Sequence, residues 1–144
     1  PLSVWLLEKL MTGYSGTPLP KKLGIKDGVR FSLIEAPAEV RRELKISLAH
    51  CEEVKDDKGP LDLALLFTKS SSELSPTFAA LAPRLAPAGM LWVSWPKKSS
   101  RVSTDLDENR VRNIGLAAGL VDVKVCAVTD IWSGLKFVRR LKDR

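Results

Sequence analysis

Histidine, cysteine and tyrosine are scarce in this chain: His50 is the only histidine, Cys51 and Cys126 the only cysteines, Tyr14 the only tyrosine. A single histidine rules out a metal site built on a histidine pair. Two cysteines 75 positions apart, with no C-x-x-C spacing, imply neither a zinc site nor a thiol redox motif. No metal is expected. A chain of 144 residues with 44% hydrophobic residues can bury a core without disulfides. The two thiols therefore read as buried groups in a reducing, cytoplasmic setting. Long apolar runs are also missing. None approaches the ~18 residues of a membrane span, so no membrane is expected. The start, Pro1 to Leu7, is apolar, but it has no basic region before it and no small-residue cleavage site, so it does not read as a secretory signal. Residues 1–11 read as an N-terminal extension or a short helix, ahead of a single domain over 12–144. There is no G-x-S-x-G elbow. Gly13-Tyr14-Ser15-Gly16-Thr17 lacks the spacing of a phosphate loop and no strand precedes it.

Positive charge is in modest excess, 23 basic against 17 acidic residues, a net +6. Five of the basic residues fall in the last nine positions. Charge alone supports a nucleic-acid partner, and only Phe137 and Trp132 stand near that end as stacking aromatics. The oligomeric state is not legible.

The patterning is that of an α/β domain. Thr17 to Gly24 predicts a short helix, capped by Thr17, with Pro18 at its first position and Gly24 at its end. Arg30 to Ile34 predicts a strand, Pro37 to Leu44 a helix and Lys45 to His50 a second strand. Cys51 to Pro60 is polar and turn-rich. Leu61 to Phe67 is nearly all apolar, as in a strand buried on both faces of a parallel sheet. Ser70-x-x-Glu73 resembles a capping box. Phe78, Leu81, Ala82 and Leu85 continue at helical spacing, with Pro83 expected to kink the helix and Pro87-Ala88-Gly89 to end it. Met90 to Trp95 is another buried strand. Asp105-x-x-Glu108 predicts a second capped helix, closed by Gly119. Val121, Val123, Val125 and Ala127 alternate with polar residues like a half-buried strand. Gly134 to Leu141 completes an antiparallel hairpin. The expected architecture is a single reduced Rossmann-like open sheet, mostly parallel, with an antiparallel C-terminal strand.

Three stretches resemble class I S-adenosylmethionine-dependent methyltransferases: Leu23 to Leu33, Asp62 to Trp95 with its Leu85-Ala86-Pro87-Ala88-Gly89 turn, and Ala117 to Val125. Gly13 to Leu19, Trp95-Pro96-Lys97-Lys98, Thr104-Asp105-Leu106, Gly115 to Asp122 and Trp132 to Phe137 more specifically resemble the bacterial DUF3052 family. These resemblances imply the fold, and the second implies no activity.

A cofactor is not expected from the residues. Close backbone approach after the first strand is what glycines permit, and Ile34-Glu35-Ala36-Pro37-Ala38-Glu39 contains none. The acid that would take ribose hydroxyls at the end of the next strand is also expected to be missing, lost with a deleted strand–helix unit. S-adenosylmethionine is therefore not expected. The leading expectation is a non-enzymatic ligand-binding or regulatory domain on a methyltransferase-like scaffold. A small enzyme, a methyltransferase or other transferase, is the alternative, and a nucleic-acid-associated protein a third. In open α/β sheets ligands lie beyond the carboxyl ends of the strands. That rule selects Glu35, Lys69, Ser70, Trp95, Lys97, Lys98 and Arg101, with Tyr14 folding over the same edge. The lysines, the arginine and the start of the helix at Ser70 suit an anionic small molecule, or they are solvated loops. Trp132, in the hairpin turn, can anchor a protein partner.

Overall fold

The longest apolar run takes the middle of the sheet. In the computed structural model, which describes residues 16–56 and 58–144, Leu61–Phe67 (β3) is buried at every position but Asp62. Tyr14 and the 1–11 segment lie outside the described residues. Around β3 the elements run in the order α1 (Leu19–Leu23), β1 (Arg30–Ile34), α2 (Ala38–Leu48), β2 (Glu52–Glu53), β3, α3 (Ser71–Leu81), β4 (Leu85–Pro96), α4 (Glu108–Ala117), β5 (Leu120–Ala127) and β6 (Trp132–Arg139). The strands form one six-stranded sheet in the order β2-β1-β3-β4-β6-β5. β2, β1, β3 and β4 are mutually parallel. β6 runs antiparallel to both β4 and β5. The expected α/β class, parallel core and antiparallel hairpin are all present.

Strand alternation divides the core in two, because successive side chains point to opposite faces. On one face Phe31, Leu63, Leu65, Phe67 and Trp92 pack under Leu19 and Leu23 of α1 and Val40 and Leu44 of α2. Trp92 Nε1 donates to the Leu23 carbonyl at 3.0 Å, so the indole is satisfied although buried. On the other face Ala64, Leu66, Leu91, Val93 and Phe137 pack under Leu74 and Phe78 of α3 and Val111 of α4. Phe78 and Phe137 meet edge to face at 5.1 Å. No helix among the described residues is long and apolar enough to cross a membrane.

Several boundaries differ from the sequence expectation. Lys45 to His50 is not a strand. Val40, Leu44 and Leu48 recur every fourth residue, and their packing against the sheet carries α2 on to Leu48. The second strand is only Glu52–Glu53. It pairs with Arg30 and Phe31, so Ser32 to Ile34 have no neighbour on that side among the described residues. Thr17 does not cap α1, whose N-cap is Pro18 with no side-chain bond. α3 ends at Leu81 and Pro83 sits in a 3₁₀ turn beyond it, while Pro76 is the proline inside the helix. Leu85 opens β4 instead of closing α3, and Ala86 to Gly89 form an irregularity against Leu61 and Leu63. A Cβ on Gly89 would lie 2.6 Å from the Leu61 carbonyl oxygen, which explains glycine there. β6 begins at Trp132 rather than Gly134. Val123 and Val125 are about half exposed, not buried, because a bulge between Asp122 and Lys124 shifts the alternation on this edge strand.

Candidate functional site

The carboxyl ends of β1 and β3 open into a cavity of about 700 Å³. Its walls are Ile34 and Glu35 at the end of β1, Leu66 to Ser70 at the end of β3, Glu73 and Thr77 from α3, and Trp132 from the start of β6. Trp132 stacks edge-on to Phe67 at 5.3 Å and makes a rigid aromatic wall. Glu35 has φ 57, in the left-handed region where a side chain normally strains the backbone. The chain thus turns after β1 as a glycine loop would, although no glycine is present. Pro37 then serves as the extended N-cap of α2.

A second groove, about 970 Å³, meets the first at Ile34 and Thr77. It runs along the unpaired length of β1, past Ser32 and Leu33, to Glu53, Arg41 and Arg84. Glu53 ends β2, and its carboxylate stands 3.9 Å from the Arg41 guanidinium, both partly exposed. A carboxylate thus stands at the end of the strand beside β1, where none was expected. The misplaced strand at 45–50 hid it. Arg84 is spent on the neighbouring loop, donating to the carbonyls of Asp56, Lys58 and Gly59 at 3.2–3.3 Å.

Of the residues named from sequence, Glu35, Lys69, Ser70 and Trp132 line the first cavity together. Trp132 is buried against Phe67, not free to anchor a partner. Trp95 is buried among the residues under α3 and α4, on the far face. Lys97, Lys98 and Arg101 lie on the loop after β4 and do not line the cavity. The Lys97 amide donates to the Ile131 carbonyl at 2.8 Å, which ties this loop to the hairpin turn. Arg101 closes a 3₁₀ turn with φ 62.

The start of α3 is not an open anion site. Ser70 Oγ accepts from the Glu73 amide at 3.3 Å. The Ser71 amide donates to Asp105 Oδ1 at 2.8 Å, and the Ser71 hydroxyl binds the other oxygen. These two bonds, the hydroxyl's first, hold the Asp105 carboxyl below its usual range. The chain's own carboxylate thus sits where an external anion was expected. Thr104 Oγ1 also donates to the Lys69 carbonyl at 2.6 Å and clamps the loop down. The second cap moves accordingly: Asp107, not Asp105, accepts from the Arg110 amide to start α4. Glu73, Thr77 and Glu53 are the site residues that sequence reasoning missed. Among the described residues no cluster of three or more His, Cys, Asp or Glu is arranged to hold a metal.

By sequence, no family model and no curated protein matches the chain. By structure it is similar to the precorrin-6y C5,15-methyltransferase of Geobacter metallireducens, with a TM-score of 0.56 at 12% identity over 85% of this chain and 86% of that one. It is similar to the magnesium protoporphyrin IX methyltransferase of Synechocystis, solved with bound S-adenosylmethionine, with a TM-score of 0.56 at 11% identity over 94% and 79%. A TehB-like S-adenosylmethionine-dependent methyltransferase of Corynebacterium glutamicum gives 0.53 at 8% identity over 94% of each chain. These neighbours correct two expectations. A non-enzymatic binding domain is not what these neighbours favour, since each of the three is a methyltransferase. Nor do they point away from S-adenosylmethionine, which one of them holds. The lack of glycine after β1 does not decide the matter, because Glu35 itself takes up the left-handed turn. This chain has the Rossmann-like fold of the class I S-adenosylmethionine-dependent methyltransferases.

Proposed function

We propose that this chain is a small S-adenosylmethionine-dependent methyltransferase. The observation that carries the reading is the pair of joined cavities at the edge of β1, one bearing Glu35 and the other Glu53. An adenosyl cofactor brings ribose hydroxyls, a cationic sulfonium and an ammonium. A carboxylate at the end of the strand beside β1 is what dinucleotide folds use for ribose hydroxyls, and Glu53 stands there. Glu35, at the mouth of the first cavity, offsets positive charge. When bound, the cofactor would supply an electrophilic methyl carbon to the lone pair of an acceptor, with sulfur as the leaving group that keeps the bonding pair. The chain's part is placement. Trp132 and Phe67 keep water from one wall. Thr68 and Ser70 offer hydroxyls. Glu73, whose Oε2 is 3.4 Å from Thr68 Oγ1, can take the proton an acceptor loses. The resemblance to the DUF3052 family would extend this reading to that family.

The test is binding measured by thermal shift and calorimetry. S-adenosylmethionine and S-adenosylhomocysteine should each raise the midpoint by mass action and compete with one another. Glu53→Gln replaces a charged acceptor by a neutral one and should weaken both about tenfold or more, in line with the ~1.5–3 kcal/mol of a charged hydrogen bond. If neither compound shifts the midpoint of the native chain, the reading is wrong.

A further inference from the structure

Most arginines with described partners are neutralised or tied to backbone. Arg30, Arg41, Arg110 and Arg112 form ion pairs. Arg139 binds the carbonyls of Ala82, Pro83 and Leu85. Three lysines on the α1 side of the hairpin have no carboxylate partner among the described residues. Lys124 of β5 and Lys136 of β6 are direct cross-strand partners, an arrangement that costs stability for like charges. Lys26, just past α1, adds a third positive charge. Burial first, then Lys124 and Lys26, push the Lys136 ammonium below its ordinary range, and no carboxylate is among the groups acting on it. No carboxylate among the described residues bonds to any of the three.

The cluster is also built rather than splayed. Lys124 Nζ donates to the Lys22 carbonyl at 3.2 Å. Lys22 Nζ in turn donates to the Ala127 carbonyl at 3.1 Å. This reciprocal pair locks α1 onto β5 and fixes Lys124 beside Lys136. Lys136 pairs in register with Trp92, whereas the cavity end of the same ladder is the Pro96–Trp132 pair. Four residues at ~3.3 Å each separate them, so the cluster is distinct from the cavity at the end of the sheet.

We propose that Lys26, Lys124 and Lys136 form a phosphate-binding site on the hairpin face, for a ligand that presents adjacent phosphate groups. A multivalent anion converts three mutual repulsions into attractions, and ammonium groups bind phosphate as point charges. The phosphates come either from a free polyphosphorylated small molecule or from a nucleic-acid backbone.

Two probes separate the sources: inorganic tripolyphosphate, and a single-stranded 12-nucleotide RNA, each titrated into the full chain at several salt concentrations. The probe bound more tightly at 150 mM salt names the source. Lys136→Gln should lower that affinity about tenfold and reduce the salt slope by about one, as loss of one phosphate contact does. Without ligand its thermal midpoint should rise, because the repulsion is relieved. Lys26→Gln, in an exposed loop, repeats the test where folding is not at stake. The proposal is overturned if neither probe binds the native chain saturably, or if both variants bind as the native chain does.

Discussion

The middle of the sheet and its β1–β2 margin are built on opposite plans. Around β3, β4 and β6 both faces are covered: α1 and α2 close one side, α3 and α4 the other, and Leu63, Ala64, Leu91, Leu135 and Phe137 are fully buried. At the margin β2 contributes two residues, Ser32 to Ile34 of β1 have no neighbour on that side among the described residues, and the groove walls carry Arg41, Glu53, Lys55 and Arg84. The centre therefore holds most of the buried apolar surface, and the margin is left as an open groove. A complete second strand with its own helices would fill that groove.

The sharpest way to break that division is to damage the centre alone. Phe78 is fully buried and stands edge to face with Phe137. Phe78→Ala should cost about 3–5 kcal/mol, the range for a buried aromatic truncated to alanine. The check is the urea midpoint at unchanged slope. At temperatures where the variant is still folded, its affinity for S-adenosylmethionine should stay within about twofold, since changes that share no partners act independently. A large loss of affinity would mean that centre and margin are not separate.

A smaller effect probes the seam between them, where Asp105 fastens the loop after β4 onto the start of α3. Its pKa is lowered on folding, first by the Ser71 hydroxyl and then by the Ser71 amide. A depressed carboxyl pKa adds stability above its unfolded value, and that stability is lost as pH falls through the folded value. Asp105→Asn should therefore lower the thermal midpoint modestly at neutral pH. The gap to the native chain should close as pH drops below the ordinary carboxylate range. A gap that persists at pH 2 would assign the effect to packing rather than charge.

How much of this was readable in advance follows the same division. β3 has its expected bounds because an apolar run buried on both faces leaves few alternatives; β1 keeps its expected bounds too, although only Phe31 of it is buried. The margin was misread. Lys45 to His50 alternates locally like a strand, but Leu44 and Leu48 find partners on the sheet and extend the helix. That one error displaced the second strand and concealed Glu53. Glu35, Lys69 and Ser70 were legible because they directly follow strands. Asp105 as the partner of Ser71 was not, since the bond spans 34 positions and no local pattern encodes it. Trp132 was legible as notable but not as buried, because its cover, Phe67, comes from a distant strand.

The smallest predicted change has the opposite sign. Glu35 sits at φ 57, where a residue with a side chain carries about 1–2 kcal/mol of strain. Glu35→Gly removes the strain but adds about 0.5–1 kcal/mol of unfolded-state entropy. The net is a gain of roughly 0.5 kcal/mol, seen as a slightly higher midpoint. A bend relaxed in this way holds the same path without its carboxylate, so binding of S-adenosylmethionine should weaken while the fold becomes more stable. Stability and binding moving apart is what a strained functional residue at the margin requires. If both fell together, Glu35 would be a structural residue that its surroundings need, and the margin would be part of the core after all.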